Sequence, residues 1–320
     1  MKKYRCASFF CGVGGIDLGF EKTKKFKTVY ANDIDSFAAK TYEENFDLKV
    51  DIADIRHVNE KSLPDFDVLL AGFPCQAFSI AGYRQGFDDL KGRGNLFFDL
   101  IRIIEEKKPS VIFLENVRNL VGHDKGNTFK VIVSLLEQNN YHVKHLVMNS
   151  KDYGNIPQNR ERIYIVGFQN PIHFNRFEFP KKLLLSTKLS DVIDFKNKKD
   201  DIYYYHENNF KYFNTIKNEF TFDESVFQWR RVYLRKNKSG VCPTLTANMG
   251  TGGHNVPLIF TEHGIRKLTP KECFLLQGFP NNFLLPNISN SNLYKQAGNS
   301  VVVPVIERIA KEILFAISTK

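Results

Sequence analysis

Short apolar runs recur along the first half of the chain, at residues 4–10 (YRCASFF), 28–32 (TVYAN), 67–73 (DVLLAGF), 110–115 (SVIFLE) and 162–168 (RIYIVGF). Each reads as a β-strand. Between them, residues 35–46, 95–107 and 127–139 place apolar side chains at three- and four-residue steps, the spacing of one helix face. Strands alternating with helices predict an α/β fold, a mostly parallel sheet covered by helices.

The rhythm stops near residue 175. Residues 176–265 are rich in lysine, asparagine and aromatic residues and show few convincing helices, whereas GIRKLTPKECFLLQGFP and AGNSVVVPVIERIAKEILFAI return to a helical apolar pattern. Val301, Val305, Ile309 and Ile313 fall on one helical face and are expected to pack back against the sheet. The expected organisation is a discontinuous large domain, 1–175 plus 266–320, with a smaller domain, 176–265, inserted into it. No internal repeat is present.

Composition narrows the class. With 320 residues, 42% hydrophobic and 25% charged, the chain is globular and long enough for one large core and a second smaller one. No run of eighteen apolar residues occurs, and glycines interrupt the apolar stretch near the amino terminus, so a cytoplasmic protein without a membrane segment is expected. Five cysteines form no CxxC pair, which points away from a disulfide framework and from a zinc site, and no metal is expected. The formal charge of +10 suits a polyanionic partner.

Three stretches carry candidate chemistry. In FFCGVGGIDLGF, Gly12, Gly14 and Gly15 directly follow a strand, so the backbone can turn tightly and approach a ligand closely. A plain glycine turn and a dinucleotide loop are the rivals; the last glycine of a GxGxxG pattern is replaced by Asp17. Asp33 ends the next strand, where a carboxylate can accept from ribose hydroxyls of a nicotinamide or adenosyl cofactor, and Asp54 is placed to meet an adenine amino group. In GFPCQ and ENV, Cys75 and Glu115 end two strands of the same sheet, the edge at which open parallel sheets bind ligands. Cys75 is then either a small buried hydrophobe or a nucleophile, and Glu115 either a satisfied acid or one that bonds a ring nitrogen.

Taken together, FCGVGG, GFPCQ, ENV, QNRER (158–162), RKLTPKE with LQGFP (266–280) and GNSVVVPV (298–305) resemble the bacterial DNA methyltransferases that methylate carbon 5 of cytosine. The motifs span nearly the whole chain in the family's order. The resemblance implies a Rossmann-like, S-adenosylmethionine-dependent methyltransferase fold with a target-recognition domain at 176–265, and S-adenosylhomocysteine as product. Double-stranded DNA is the implied partner. It further implies a bacterial enzyme serving a restriction-modification pair without an obligatory complex with the nuclease; a monomer is expected by default, because turning over one base on one strand needs no symmetric partner.

Family roles carry over by motif. Cys75 matches the cysteine that adds to carbon 6 of a flipped-out cytosine, and Glu115 the acid that bonds ring nitrogen 3 and the exocyclic amine. Arg160 and Arg162 match the pair supporting the base and the acid. For the cofactor the resemblance implies Phe10, Gly12, Gly14, Gly15, Asp33, Ile34, Asp54, Pro74, Leu96 and Asn299. Many relatives carry glutamate and an aromatic residue where this chain has Asp33 and Ile34, and an isoleucine covers adenine without stacking as a π-surface, so weaker cofactor affinity is expected.

The segment Ala77–Asn95 matches the family's mobile catalytic loop, with Ser79 and Arg93 as DNA contacts. From Ser225 to Thr261 there is no acidic residue, while Arg230, Arg231, Arg235, Lys236 and Lys238 face no compensating charge in sequence. Trp229 and Tyr233 add stacking options, and Thr244-Leu245 matches the family's threonine-leucine pair at the DNA. Two alternatives stay open. One branch of the family methylates transfer RNA, against which the basic segment before RKLTPKE argues, and a non-catalytic DNA-binding module is disfavoured by the presence of both Cys75 and Glu115.

Overall fold

The computed structural model describes residues 3–74, 96–219, 223–230, 233–237, 239–250 and 255–318. Cys75, the expected loop Ala77–Asn95 with Ser79 and Arg93, Arg231 and Lys238 lie outside the described residues. The chain divides into two compact units, one formed by Met1–Met148, Glu161–Pro180 and Ile306–Lys320, the other by Asn149–Arg160 and Lys181–Val305. Most of the segment expected for target recognition thus lies in the second unit, which also takes 149–160 and 266–305.

The first unit is built on a seven-stranded sheet, ordered β3-β2-β1-β4-β5-β8-β6. Its strands are β1 (Tyr4–Phe9), β2 (Phe26–Asp33), β3 (Asp51–Ile52), β4 (Val68–Gly72), β5 (Val111–Val117), β6 (His142–Asn149) and β8 (Glu161–Phe168). Strands β3, β2, β1, β4 and β5 run parallel, and β8 is antiparallel to β5, a reversal that the strand–helix rhythm did not reveal. The six residues Val111–Asn116 are all buried, so β5 lies in the middle of the layer and needs apolar side chains toward both faces. Strand β6 escaped the sequence reading because it is a polar edge strand, HVKHLVMN, with one fully buried residue.

The helices Leu96–Lys107 and Asn127–Gln138 bury Phe97, Leu100, Ile104 and Ile132, Leu136 in the same core as Leu69, Ile112 and Leu114. The carboxyl-terminal helix Val303–Ile317 packs its Ile306 so closely on the helix Gly15–Glu21 that a Cβ at Gly19 would lie 2.5 Å from it. Val301, Val305, Ile309 and Ile313 are all buried. No described helix is long and apolar enough to cross a membrane.

The second unit holds an antiparallel sheet, ordered β10-β9-β12-β13, of β9 (Phe227–Trp229), β10 (Leu234–Lys236), β12 (Val256–Thr261) and β13 (Gly264–Lys267). A two-stranded piece pairs β7 (Gln158–Asn159) with β11 (Cys242–Pro243). Its small core gathers Ile216, Phe227, Leu234, Leu258 and Ile265 around Trp229, whose ring meets Phe210 edge-on at 5.3 Å and Tyr212 at 4.9 Å. Trp229, expected as a stacking surface for DNA, is therefore a core residue; only Tyr233, 51% exposed, keeps that option.

The RKLTPKE motif has a structural explanation. Arg266 is fully buried and forks onto Glu272 at 2.7 and 2.8 Å, while Glu272 closes a capping box with Thr269 and accepts the Asp194 amide.

Candidate active site

The chain leaves β1 through a turn that only glycines make cheaply. Gly12 (φ +55°) and Gly14 (φ +80°) are left-handed, and Gly14 caps the helix Gly15–Glu21. A Cβ on Gly14 would collide with Phe46 at 2.4 Å, whereas one on Gly12 would meet nothing within 4 Å among the described residues. The backbone at Gly12 is therefore clear of the described residues, the arrangement a closely approaching ligand requires. Phe10 also adopts positive φ, +53°, a strained state for a bulky residue.

Asp33, at the end of β2, accepts the Gly12 amide on Oδ2 (2.7 Å) and the Asp35 amide on Oδ1 (2.8 Å). Burial raises its pKa above the usual carboxylate value, with those amides pulling the other way. Ile34 beside it is 68% exposed, a large apolar surface open to solvent next to an acid already joined to the glycine turn. Asp54 caps the turn Ile55–His57 and is gripped by Arg56, which holds its carboxyl down at about 2. Asn32, not singled out in the sequence, anchors this corner: its Nδ2 donates to the carbonyls of Asp51 and Ala53, both at 2.9 Å.

Glu115 and Gly72 are register partners across β5 and β4, so Glu115 stands on the strand beside the one that leads through Phe73 and Pro74 to Cys75. Glu115 is 7% exposed, and the Nε of Arg162, on the antiparallel neighbour β8, lies 3.1 Å from its Oε1. Asn116, the next residue of ENV, donates from Nδ2 to the Phe73 carbonyl at 2.9 Å and so ties β5 to the exit of β4. Pro74 is exposed and Leu96, the first residue of its helix, half-buried.

Strands β4 and β5 run parallel with Glu115 beside Gly72, the last residue of β4, and the glycine turn follows β1, the other neighbour of β4. A family model described as C-5 cytosine-specific DNA methylase matches residues 4–314. The chain belongs to the C-5 cytosine-specific DNA methylase family. It is a DNA (cytosine-5-)-methyltransferase of the Type II restriction-modification kind. The Type II methyltransferase M.Bsp6I of Bacillus sp. (strain RFL6) is 61% identical to it over 307 residues, covering 96% of this chain and 97% of that one. M.HhaI of Haemophilus parahaemolyticus, also a Type II methyltransferase, is 40% identical over 325 residues, 97% and 94% of the two chains. Among solved structures, the Entamoeba histolytica methyltransferase EhMeth shares the fold with a TM-score of 0.75 at 21% identity, covering 100% of both chains. Spodoptera frugiperda DNMT2 does so at 0.75 and 19%, over 98% and 100%.

Arg160, expected at the base, and Leu245, expected at the DNA, are both engaged within the second unit. Arg160, expected beside the base together with Arg162, is 2% exposed within the second unit and donates to the carbonyls of Leu245, Gly298 and Ser300. It fastens two backbone segments, at Leu245 and at Gly298–Ser300, because carbonyls that converge in a core need a multidonor partner. Leu245, expected at the DNA, is buried; its amide donates to Gln158 and its carbonyl accepts from Arg160. Thr244 donates to the Asn159 carbonyl, and Gly298 lies so close to Thr246 and Ala247 that any side chain there would clash with their backbone. Asn299 ends the helix Asn290–Asn299, exposed, in the same unit.

The second unit contains a cleft of about 260 Å³ lined by Asn159, Gln228, Arg230, Arg235, Thr244 and Asn255 among others. Arg230 is half-buried and reaches Gln228 Oε1 at 3.4 Å, while Arg235 projects exposed from β10 opposite Gln228. The buried Oδ1 of Asn255 has no hydrogen-bond partner among the described residues.

Proposed function

We propose that this methylase transfers a methyl group from S-adenosylmethionine to carbon 5 of a cytosine flipped out of a short double-stranded DNA sequence. The observation that carries the reading is the buried Glu115–Arg162 pair, with Glu115 in register with Gly72 at the end of β4, three residues before Cys75 in sequence. The glycine turn fits the cofactor, since Gly12, beside Asp33, has no described residue within 4 Å of where a Cβ would stand, and Gly12, Asp33 and Ile34 are the residues to hold its adenosine part. When bound, S-adenosylmethionine supplies an electrophilic methyl group.

The remaining chemistry belongs to the chain. Cys75, as thiolate, adds to carbon 6 of cytosine and makes carbon 5 nucleophilic. Glu115, in its protonated form, donates its proton to ring nitrogen 3 and so neutralises the negative charge that addition pushes onto the ring, and Arg162 holds the carboxyl in place for that task. After methylation, loss of the carbon-5 proton releases the Cys75 sulfur by elimination. Extruding the base from the duplex costs a few kcal/mol. The cleft of Arg230, Arg235 and Thr244 supplies DNA reading, with residues 176–265 as the target-recognition segment. The biological role is protection of host DNA from a cognate restriction endonuclease, by a cytoplasmic monomer.

The test is transfer of labelled methyl from S-adenosylmethionine to unmethylated plasmid, with bisulfite sequencing of the product and Cys75→Ser and transfer RNA in parallel. Label in DNA cytosines of one short context, lost in Cys75→Ser, is expected. Label in transfer RNA alone overturns the DNA substrate, and activity in Cys75→Ser overturns the covalent step.

A further inference from the structure

Beneath the glycine turn lies a polar cluster that the chemistry above leaves unused. Asp17, the third residue of the helix Gly15–Glu21, is fully buried. Its carboxylate accepts hydroxyls from three other elements: Ser8 Oγ on β1 at 2.9 Å, Thr28 Oγ1 on β2 at 2.9 Å and Tyr42 Oη from the helix Ser36–Glu43 at 3.2 Å. No cation is among these partners, and the acidic Glu21 acts on it as a like charge. Burial lifts the Asp17 pKa to about 6 against the pull of the hydroxyls. A buried anion satisfied only by neutral donors is costly to a fold, so its presence calls for a task.

The task follows from where Tyr42 lies. Its ring stacks on Phe46 with centroids 4.3 Å apart, and these two rings floor the left-handed Gly14: a Cβ there would come within 2.9 Å of Tyr42 and 2.4 Å of Phe46. Asp17 fixes the Tyr42 hydroxyl, and through Ser8 and Thr28 it also fixes the two strands whose ends carry the turn and Asp33. We propose that Asp17, acting through Tyr42, is a positioning residue for cofactor binding, setting the height of the Gly12–Gly14 turn against Asp33. The inference rests on the reading of that turn as the S-adenosylmethionine site.

Tyr42→Phe keeps the stacked ring and removes only the hydroxyl, and it is the decisive variant; Asp17→Asn is its companion. Dissociation constants for S-adenosylhomocysteine and S-adenosylmethionine are measured by calorimetry on the full chain, beside DNA affinity and the single-turnover rate at saturating cofactor. The expected result is a rise in both cofactor constants of about three- to tenfold, the factor that one lost hydrogen bond gives. The saturated rate and DNA affinity stay within about twofold of wild type, the split a pure binding effect produces. Thr23→Val, which removes a hydroxyl bonded only locally near the same helix, leaves the cofactor constants unchanged although it lowers stability. Unchanged constants in folded Tyr42→Phe, or a loss confined to the saturated rate, overturn the proposal while the cofactor reading stands. Failure of wild type itself to bind S-adenosylhomocysteine overturns the cofactor reading on which it rests.

Discussion

The guanidinium Nε of Arg162 lies 3.1 Å from Glu115 Oε1, both side chains nearly buried, across the antiparallel β5–β8 pair. A planar guanidinium beside a buried carboxyl limits its rotation, so the acid is delivered to one place, and it stabilises the carboxylate left once the proton has passed to ring nitrogen 3. Arg162→Ala is expected to lower the single-turnover methylation rate about 100-fold, the scale of losing one preorganised electrostatic partner, with cofactor affinity unchanged. Arg162→Lys keeps the charge without the fork and is expected to fall between. A rate for Arg162→Ala within a factor of three of wild type removes the pair from the mechanism.

Asn116 carries a second prediction. Its Nδ2 holds the Phe73 carbonyl two residues before Cys75, and aspartate in its place has no proton to donate at neutral pH. Asn116→Asp is expected to slow the chemical step roughly ten- to a hundredfold through displacement of the nucleophile. Rapid-quench kinetics at saturating DNA and cofactor read this directly, and a change confined to DNA affinity contradicts it.

In the cleft of the second unit the two arginines are expected to act differently. Arg230, half-buried and tethered to Gln228, is placed to read a base edge, while Arg235 stands exposed on an edge strand and suits a phosphate. Arg230→Ala should cost about 1–3 kcal/mol and relax sequence preference at one position; Arg235→Ala should weaken all sequences alike and reduce the salt slope by about 1. Binding titrations on a set of single-base variants, repeated at several salt concentrations, distinguish the two.

The buried Arg266–Glu272 pair bears on stability. Removing one partner leaves a charge in the core, so Arg266→Met is expected to destabilise the protein by about 3–5 kcal/mol in urea unfolding. A loss under 1 kcal/mol would show that Thr269 and Asp194 satisfy Glu272 without it.

Asp17 gives a pH signature of defined sign. Its folded pKa, about 6, lies above the ordinary 3.8, so the group favours folding fully below pH 3.8 and that contribution is lost as pH rises through 6. The difference amounts to about 3 kcal/mol. Relative to wild type, Asp17→Asn is thus expected to gain stability between pH 4 and 7. Parallel melting curves of the two proteins, flat in their difference over that range, contradict it.

Much of this was legible in the chain. Strands β1, β2, β4, β5 and β8, the glycine turn and the strand-end position of Asp33 follow from apolar runs ended by polar residues, which is local information, whereas β5 runs two residues past Glu115 and the two-residue β3 has no apolar run to mark it. Edge strand β6 was not legible, because a half-exposed strand carries no apolar run, and the antiparallel course of β8 was not, because direction is set by which neighbour a strand pairs with.

What the sequence alone determined is the fold class, the order of the motifs and the residue types able to do the chemistry, all of which depend on side-chain identity and spacing. The tertiary structure alone decided which member of QNRER faces Glu115: Arg162 does, while Arg160, two residues away, is turned to the carbonyls of Leu245, Gly298 and Ser300. It decided equally that Trp229 and Leu245 are core rather than DNA surface, and that Asp17 lies buried among three hydroxyls. The physical reason is that a partner's identity depends on segments far away in the chain, whose positions no local pattern records.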